Sequence, residues 1–263
     1  PPIHTAYRAA LNPKFAPQNM AAMRDQVRER AKVLIARFKD RGHCDFVDEF
    51  SEKYPINIVL DLLDLWKKFP KLVPYLDIPF QHVSPEILRR MKRPSDVALF
   101  DEIINKAHSI TPDFEIRTSF IVGFPGETEA EYQALVDFTR KHRLDKLALF
   151  RYSHEPGTSA GDTMDETVSD EEKYRRINEL RDIHLETRKQ YALGLIGRRE
   201  TMIVDEISGG EVVLRRAHDA PESDEVVTLP LGADTKSLQV GSMPMVELKA
   251  YTEYSFLGEI VPA

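Results

Sequence analysis

Two short stretches hold most of the residues whose types and spacing could do chemistry. Residues 75–82 read Tyr-Leu-Asp-Ile-Pro-Phe-Gln-His, and residues 117–128 read Arg-Thr-Ser-Phe-Ile-Val-Gly-Phe-Pro-Gly-Glu-Thr. The rest of the chain narrows what that chemistry can be. Cys44 is the single cysteine, which excludes an intramolecular disulfide and a Cys-rich zinc site. The eight histidines are scattered, and none pairs at metal-ligand spacing with a second strong ligand. There is no Gly-x-Ser-x-Gly elbow, no Walker-type phosphate loop and no His-Glu-x-x-His zinc site.

The elements that must position these stretches fall into three groups. Residues 1–67 read as a helical segment. Met20, Met23, Val27, Ala31, Leu34, Ile35 and Phe38 recur at helical spacing over about 18–39, so they should form one buried stripe. Arg41-Gly42 is expected to end that helix, and a second helix is expected over 55–65. Residues 68–196 alternate strands with helices. Strands are expected at 75–78, 115–122 and 146–152. Ser84 with Pro85, and Ser169-Asp-Glu-Glu172, mark helix starts. Such alternation argues for parallel β/α units. In residues 197–263 the period shortens to two, with short strands at 201–204, 212–214, 226–229, 245–248 and 256–261. Gly209-Gly210, Gly232 and Gly241 supply turns. The fold class is therefore α/β: a partial parallel (β/α) barrel of three strand–helix units, preceded by helices and followed by a five-stranded β-barrel of oligonucleotide-binding type.

Composition sets further bounds. With 263 residues, 42% hydrophobic and 30% charged, the chain reads as two or three soluble globular units. No run of 18 apolar residues predicts a membrane span, and the N-terminus reads as an internal start without an export signal. Cytoplasmic location is the expectation. A net charge of −7 argues against broad nucleic-acid binding.

Residues from about 70 to 263 resemble the methylthiotransferase branch of the radical S-adenosylmethionine (SAM) superfamily. Within it they are most similar to the type that thiomethylates an aspartate of a small-subunit ribosomal protein. The markers are 74–82, 117–128, Leu-Phe-Arg-Tyr-Ser-His-Glu-Pro-Gly-Thr-Ser-Ala at 149–160, and a terminal barrel that looks like a TRAM domain. The resemblance implies a ligand at the C-terminal strand ends. Gln81 and His82 end the first strand, Gly123 and Gly126 follow the second, and Ser153 and Glu155 follow the third. The glycines would let backbone approach the adenosyl group, and Arg117 or Ser119 would bind the SAM carboxylate or ribose. It also implies a four-iron four-sulfur cluster, which needs three cysteine thiolates from a Cys-x-x-x-Cys-x-x-Cys loop. That loop is missing here, so no catalytic or metal residue is assigned and no cluster is expected on this chain.

Residues 1–65 resemble a fragment of bacterial haem-thiolate monooxygenases, through Pro1–Pro17, 45–48 and 55–59. In that family a His and an Arg contact haem propionates, and His4 and Arg8 lie four apart on one helix face. Cys44 lacks the family's ligand motif and reads as a half-buried structural thiol. The expectation is a fusion joined near 65–71, inert in radical SAM chemistry, with the helical segment docking poorly on the rest. The alternatives are a TRAM-mediated binding module without catalysis and, last, a haem monooxygenase fragment. A basic ribosomal protein is the expected partner, with RNA bound weakly or not at all.

Overall fold

The computed structural model describes residues 17–51, 53–69, 71–221, 223–252 and 254–262. His4 and Arg8 lie outside the described residues. Helix α1 (Pro17–Ala36) opens the described chain, and α2 (Lys53–Lys68) follows a 3-10 turn at Lys39–Arg41 and a π-helical turn at Val47–Ser51. Strands β1 (Tyr75–Asp77), β2 (Glu115–Val122) and β3 (Lys146–Arg151) form a parallel sheet in that order. Helices α3 (Pro85–Arg90), α4 (Ala98–Ile110), α5 (Glu129–Lys141), α6 (Ser159–Thr163) and α7 (Asp170–Leu193) make or extend the crossovers.

Local signals explain the starts. The Ser84 hydroxyl accepts the Ile87 N–H, with Pro85 in the first turn of α3. Thr128 and Glu131 form a reciprocal capping box on α5, and Ser169 caps α7. Along β2 the side chains alternate: Ile116, Phe120 and Val122 enter a helix-covered core, while Glu115, Arg117 and Ser119 take the other face. The core is built around Phe80, which stacks on Phe100 at 4.3 Å between centroids and meets Phe138 edge-on.

The N-terminal helices depart from expectation in three ways. Helix α1 stops at Ala36, and Arg41-Gly42 instead closes a separate 3-10 turn at Lys39–Arg41, with Gly42 at φ +70°. The apolar stripe forms only in part: Leu34 is buried, Val27, Ala31 and Phe38 are half-buried, Ile35 is exposed, and the Met20 and Met23 side chains lie outside the described set. Helix α2, expected to dock poorly, sends Leu60 and Leu63 into the same core as the sheet. It is latched there by polar contacts. Lys106 Nζ donates to the Leu60 carbonyl at 2.6 Å and pairs with Asp64 at 3.0 Å, and Trp66 Nε1 donates to the Val73 carbonyl at 2.6 Å.

The C-terminal unit is a curled six-stranded half-barrel. Strands β4 (Arg199–Thr201), β5 (Ile203–Ser208), β6 (Glu211–Arg215), β7 (Val226–Pro230), β8 (Met245–Thr252) and β9 (Ser255–Ile260) lie in the order β4-β8-β9-β7-β6-β5. Five strands were expected, and the first is divided at Met202. Its side chain turns into the core while its N–H bonds the Pro244 carbonyl at 3.0 Å, and Val204 N–H bonds Ser242 at 2.9 Å. The chain can therefore pair with β8 on one side of the bend and with β6 on the other. Gly258 is required where β9 crosses the core, because a Cβ there would sit 2.6 Å from Val246 Cγ1.

Candidate functional site

The C-terminal ends of β1–β3 bring together four of the six sequence-derived site residues. Gln81 continues β1 beyond its last paired residue and has φ +68°. It is held there by two backbone bonds: its N–H to the Ser119 carbonyl and its carbonyl from Ile121 N–H, both at 2.8 Å. Gln81 lines a cleft of about 300 Å³ with Arg90, Ile121, Phe124 and Thr158. His82 lies behind this mouth and is fully buried. Its Nδ1 accepts the Ser84 N–H at 2.8 Å, so Nε2 carries the proton toward Glu127 Oε1 at 3.3 Å.

Glu127 is the hub of the β2–α5 turn, and sequence reasoning did not single it out. Its buried carboxylate takes the Gly123 N–H, faces His82, and pairs with Arg176 of α7 at 3.1 Å. Gly123 and Gly126 have φ of +74° and +81°, which a turn glycine tolerates and other residues resist. The groups that approach them closely are the chain's own cations. The Lys173 stem fills the space a Cβ would take at Gly123, and the Arg90 guanidinium does so at Gly126, donating to the Gly126 carbonyl at 3.2 Å. Ser153 and Glu155 follow β3 and are exposed.

Arg117 and Ser119 lie on the face of β2 away from the helices, and Arg117 sits toward the strand's other end. Arg117 Nη1 donates to Asp224 of the C-terminal unit at 2.8 Å. It borders a buried charged junction between sheet and half-barrel. Glu115 pairs with Lys146 and with Arg216, each at 2.5 Å, and both cations also reach Asp219 at 3.0–3.1 Å. Arg188 pairs with Glu225, which also accepts the Tyr251 hydroxyl at 2.8 Å. Burial would raise the Glu115 carboxyl, but Arg216, Lys146 and Arg188 around it hold it well below the usual carboxylate range. Burial lowers the His184 imidazole, keeping it neutral beside this junction.

Helix α7 is rich in charge, yet not all of that charge is solvated. Its inward stripe instead mixes Leu180 with Lys173, Arg176, His184 and Arg188, all buried. The available signal was their 3–4 residue spacing in register with the leucine.

The donors present do not fit a four-iron cluster. Three thiolates are needed and Cys44 is one, half-buried in the turn before α2.

Comparison with known proteins shows what the chain is similar to. Residues 28–139 match the model of the radical SAM superfamily, and residues 196–261 match that of the TRAM domain. The ribosomal protein uS12 methylthiotransferase RimO of Leptospira biflexa is 40% identical over 205 residues, covering 78% of this chain and 45% of that protein. The chain is a homologue of radical SAM methylthiotransferases. The protein of the same name from Francisella tularensis subsp. novicida is 39% identical over 220 residues, covering 83% of this chain and 49% of the relative. That from Dictyoglomus thermophilum is 36% identical over 220 residues, covering 82% and 49%. The chain thus spans about half the length of the methylthiotransferases it matches. The radical SAM match begins at residue 28, inside the stretch read from sequence as a haem-monooxygenase fragment.

Among the described residues no helix is long and apolar enough to cross a membrane.

Proposed function

We propose that these residues form the C-terminal part of a radical SAM methylthiotransferase that modifies a ribosomal protein. They contribute the SAM-facing strand ends and the TRAM unit, and they lack the means to hold the cluster. One observation carries the reading: radical SAM and TRAM matches stand in order on a chain with a single cysteine. On this reading Gln81, Gly123 and Gly126 meet the adenosyl group, His82 braces them through Glu127, and Ser119 serves the amino-acid or ribose end, whereas Arg117, bonded to Asp224 toward the other end of β2, does not reach it. Its place is the cytoplasm. The haem-monooxygenase resemblance read in residues 1–65 overlaps the radical SAM match from residue 28, and the gene with its flanking DNA would show whether a joint near 65–71 exists.

The test is anaerobic reconstitution with iron and sulfide, followed by metal analysis and an assay of SAM cleavage. No stable cluster is expected on these 263 residues. About four irons per chain, with reductive SAM cleavage, would refute the inert reading.

A second reading, binding without catalysis, is favoured by the charge of the half-barrel. Residues 198–263 carry twelve acidic side chains against six basic ones. Such a field repels phosphates within about one Debye length and suits a basic protein surface. Titrating the whole chain with a basic ribosomal protein and with generic RNA, at low and physiological salt, should show salt-sensitive protein binding and weak RNA binding. Tight RNA binding with no affinity for the protein would overturn it.

A further inference from the structure

The cleft of about 300 Å³ at the strand ends carries charge of one sign. Arg90, Lys92 and Arg93 line it, and no acidic residue does. Arg90 is already engaged: its Nε donates to Glu86 at 3.1 Å and its Nη1 to the Gly126 carbonyl at 3.2 Å. Lys92 and Arg93 are exposed, and neither pairs with a carboxylate among the described residues.

These two cations stand on a fixed backbone. Helix α3 ends in a Schellman motif, in which Arg93 N–H bonds the Leu88 carbonyl at 2.8 Å and Lys92 N–H bonds the Arg89 carbonyl at 3.0 Å. The left-handed position of that motif usually takes glycine, and here it takes Lys92, at φ +54°. Gln81 of the same cleft is left-handed as well, at φ +68°. Among the described residues three non-glycine side chains adopt this region, and two of them line this one cleft. Backbone held in a costly region gathers where ligands are clamped. Glycine would end the helix with less strain, so the lysine side chain is what the position gains.

Beside the cations lie Ile121 and Phe124. The rest of the chain disfavours a polyanion. Residues 198–263 carry twelve acidic side chains against six basic ones, a field that repels a phosphate backbone. A single carboxylate with an apolar neighbour meets both the charge and the apolar wall of the cleft.

We propose, on the reading that the strand ends are the reacting site, that this rim is a carboxylate subsite for an acidic side chain on a loop of the protein substrate. Lys92 and Arg93 take the carboxylate, and Arg90, which holds the Gly126 turn, adds its charge. Ile121 and Phe124 take the apolar residue next to the acid. One exposed ion pair is worth little, so selectivity comes from two cations acting together on a preset backbone.

The test is a nuclear magnetic resonance titration of the full chain with acetyl-Gly-Leu-Asp-Leu-Gly-amide and with its asparagine twin. The aspartate peptide should shift the amide signals of residues 90–93 and 121, and the twin should bind at least about tenfold more weakly. Lys92→Gly combined with Arg93→Ser should weaken the aspartate peptide by a similar factor. Glycine suits the left-handed position, so this variant keeps its fold. Lys71→Ser combined with Lys189→Ser removes two exposed cations outside the cleft and should leave binding unchanged.

SAM is titrated in parallel. Equal SAM binding by wild type and by the Lys92→Gly, Arg93→Ser variant supports a subsite for the second ligand. If SAM fails to bind while the peptides behave as stated, the SAM reading falls and the carboxylate subsite stands. A tenfold loss of SAM binding on that variant would overturn the proposal, because the anion held would be the carboxylate of SAM. Equal affinity for the two peptides, tighter binding of inorganic phosphate, or an equal loss on the Lys71→Ser, Lys189→Ser variant would each overturn it too.

Discussion

Replacing Glu115 with alanine is expected to cost about 3–5 kcal/mol of stability, the range for breaking a buried ion pair from one side. The carboxylate is 1% exposed and is shared between Lys146 and Arg216, which are themselves buried. Its removal leaves two cations in the interior with Asp219 as their remaining close acidic partner. Because Arg216 and Asp219 belong to the C-terminal unit and Glu115 to the sheet, the loss should also loosen the junction. Urea denaturation measures the first effect, and protease cleavage between the units measures the second. Glu115→Gln, which keeps the shape and loses the charge, should fall between wild type and alanine.

The pH profile follows from the same carboxylate. Its folded pKa lies below the unfolded value of about 4.3, so the folded state binds fewer protons. The stability it contributes is complete above the unfolded pKa and is lost as pH falls toward the folded one. Wild type should therefore lose stability below about pH 4.5 more steeply than Glu115→Gln. An alanine variant within about 1 kcal/mol of wild type would mean the pair behaves like a surface ion pair and the junction is held otherwise.

Leu63→Ala should cost about 2–5 kcal/mol, the usual range for a large-to-small change in a close-packed core. Leu63 has no exposed surface and packs in the cluster that also holds Phe80, Phe114 and Phe120. The Trp66 ring beside it lies 5.4 Å from Phe114. The effect should appear in the global unfolding transition, because α2 and the sheet share one core. A separate, low-stability transition for residues 53–68, with the sheet's midpoint unmoved, would restore the expectation that this segment docks poorly.

The strand–helix rhythm was legible because its signals are local. Ser84-Pro85 and Ser169 with Glu172 cap helices through neighbours three residues away. Strand β2 was read at its observed bounds, since a buried run flanked by turn residues has few other readings. The family was readable as well, because 75–82 and 117–128 stand in order before a period-two region. The single cysteine set the cluster question from composition alone.

Tertiary structure decided what those residues face. The glycines at 123 and 126 announce a tight turn, but only the fold places Lys173 and Arg90 against them. His82 reads as a ligand residue until Glu127, 45 positions away, is seen beside it. Glu115 and Arg216 are 101 residues apart, and each alone reads as a surface charge. Pairing at such separation costs loop entropy and depends on the whole chain's path, so spacing carries no trace of it. Sequence fixes periods, caps and ligand counts because they depend on near neighbours; the partners of buried charges depend on which surfaces meet.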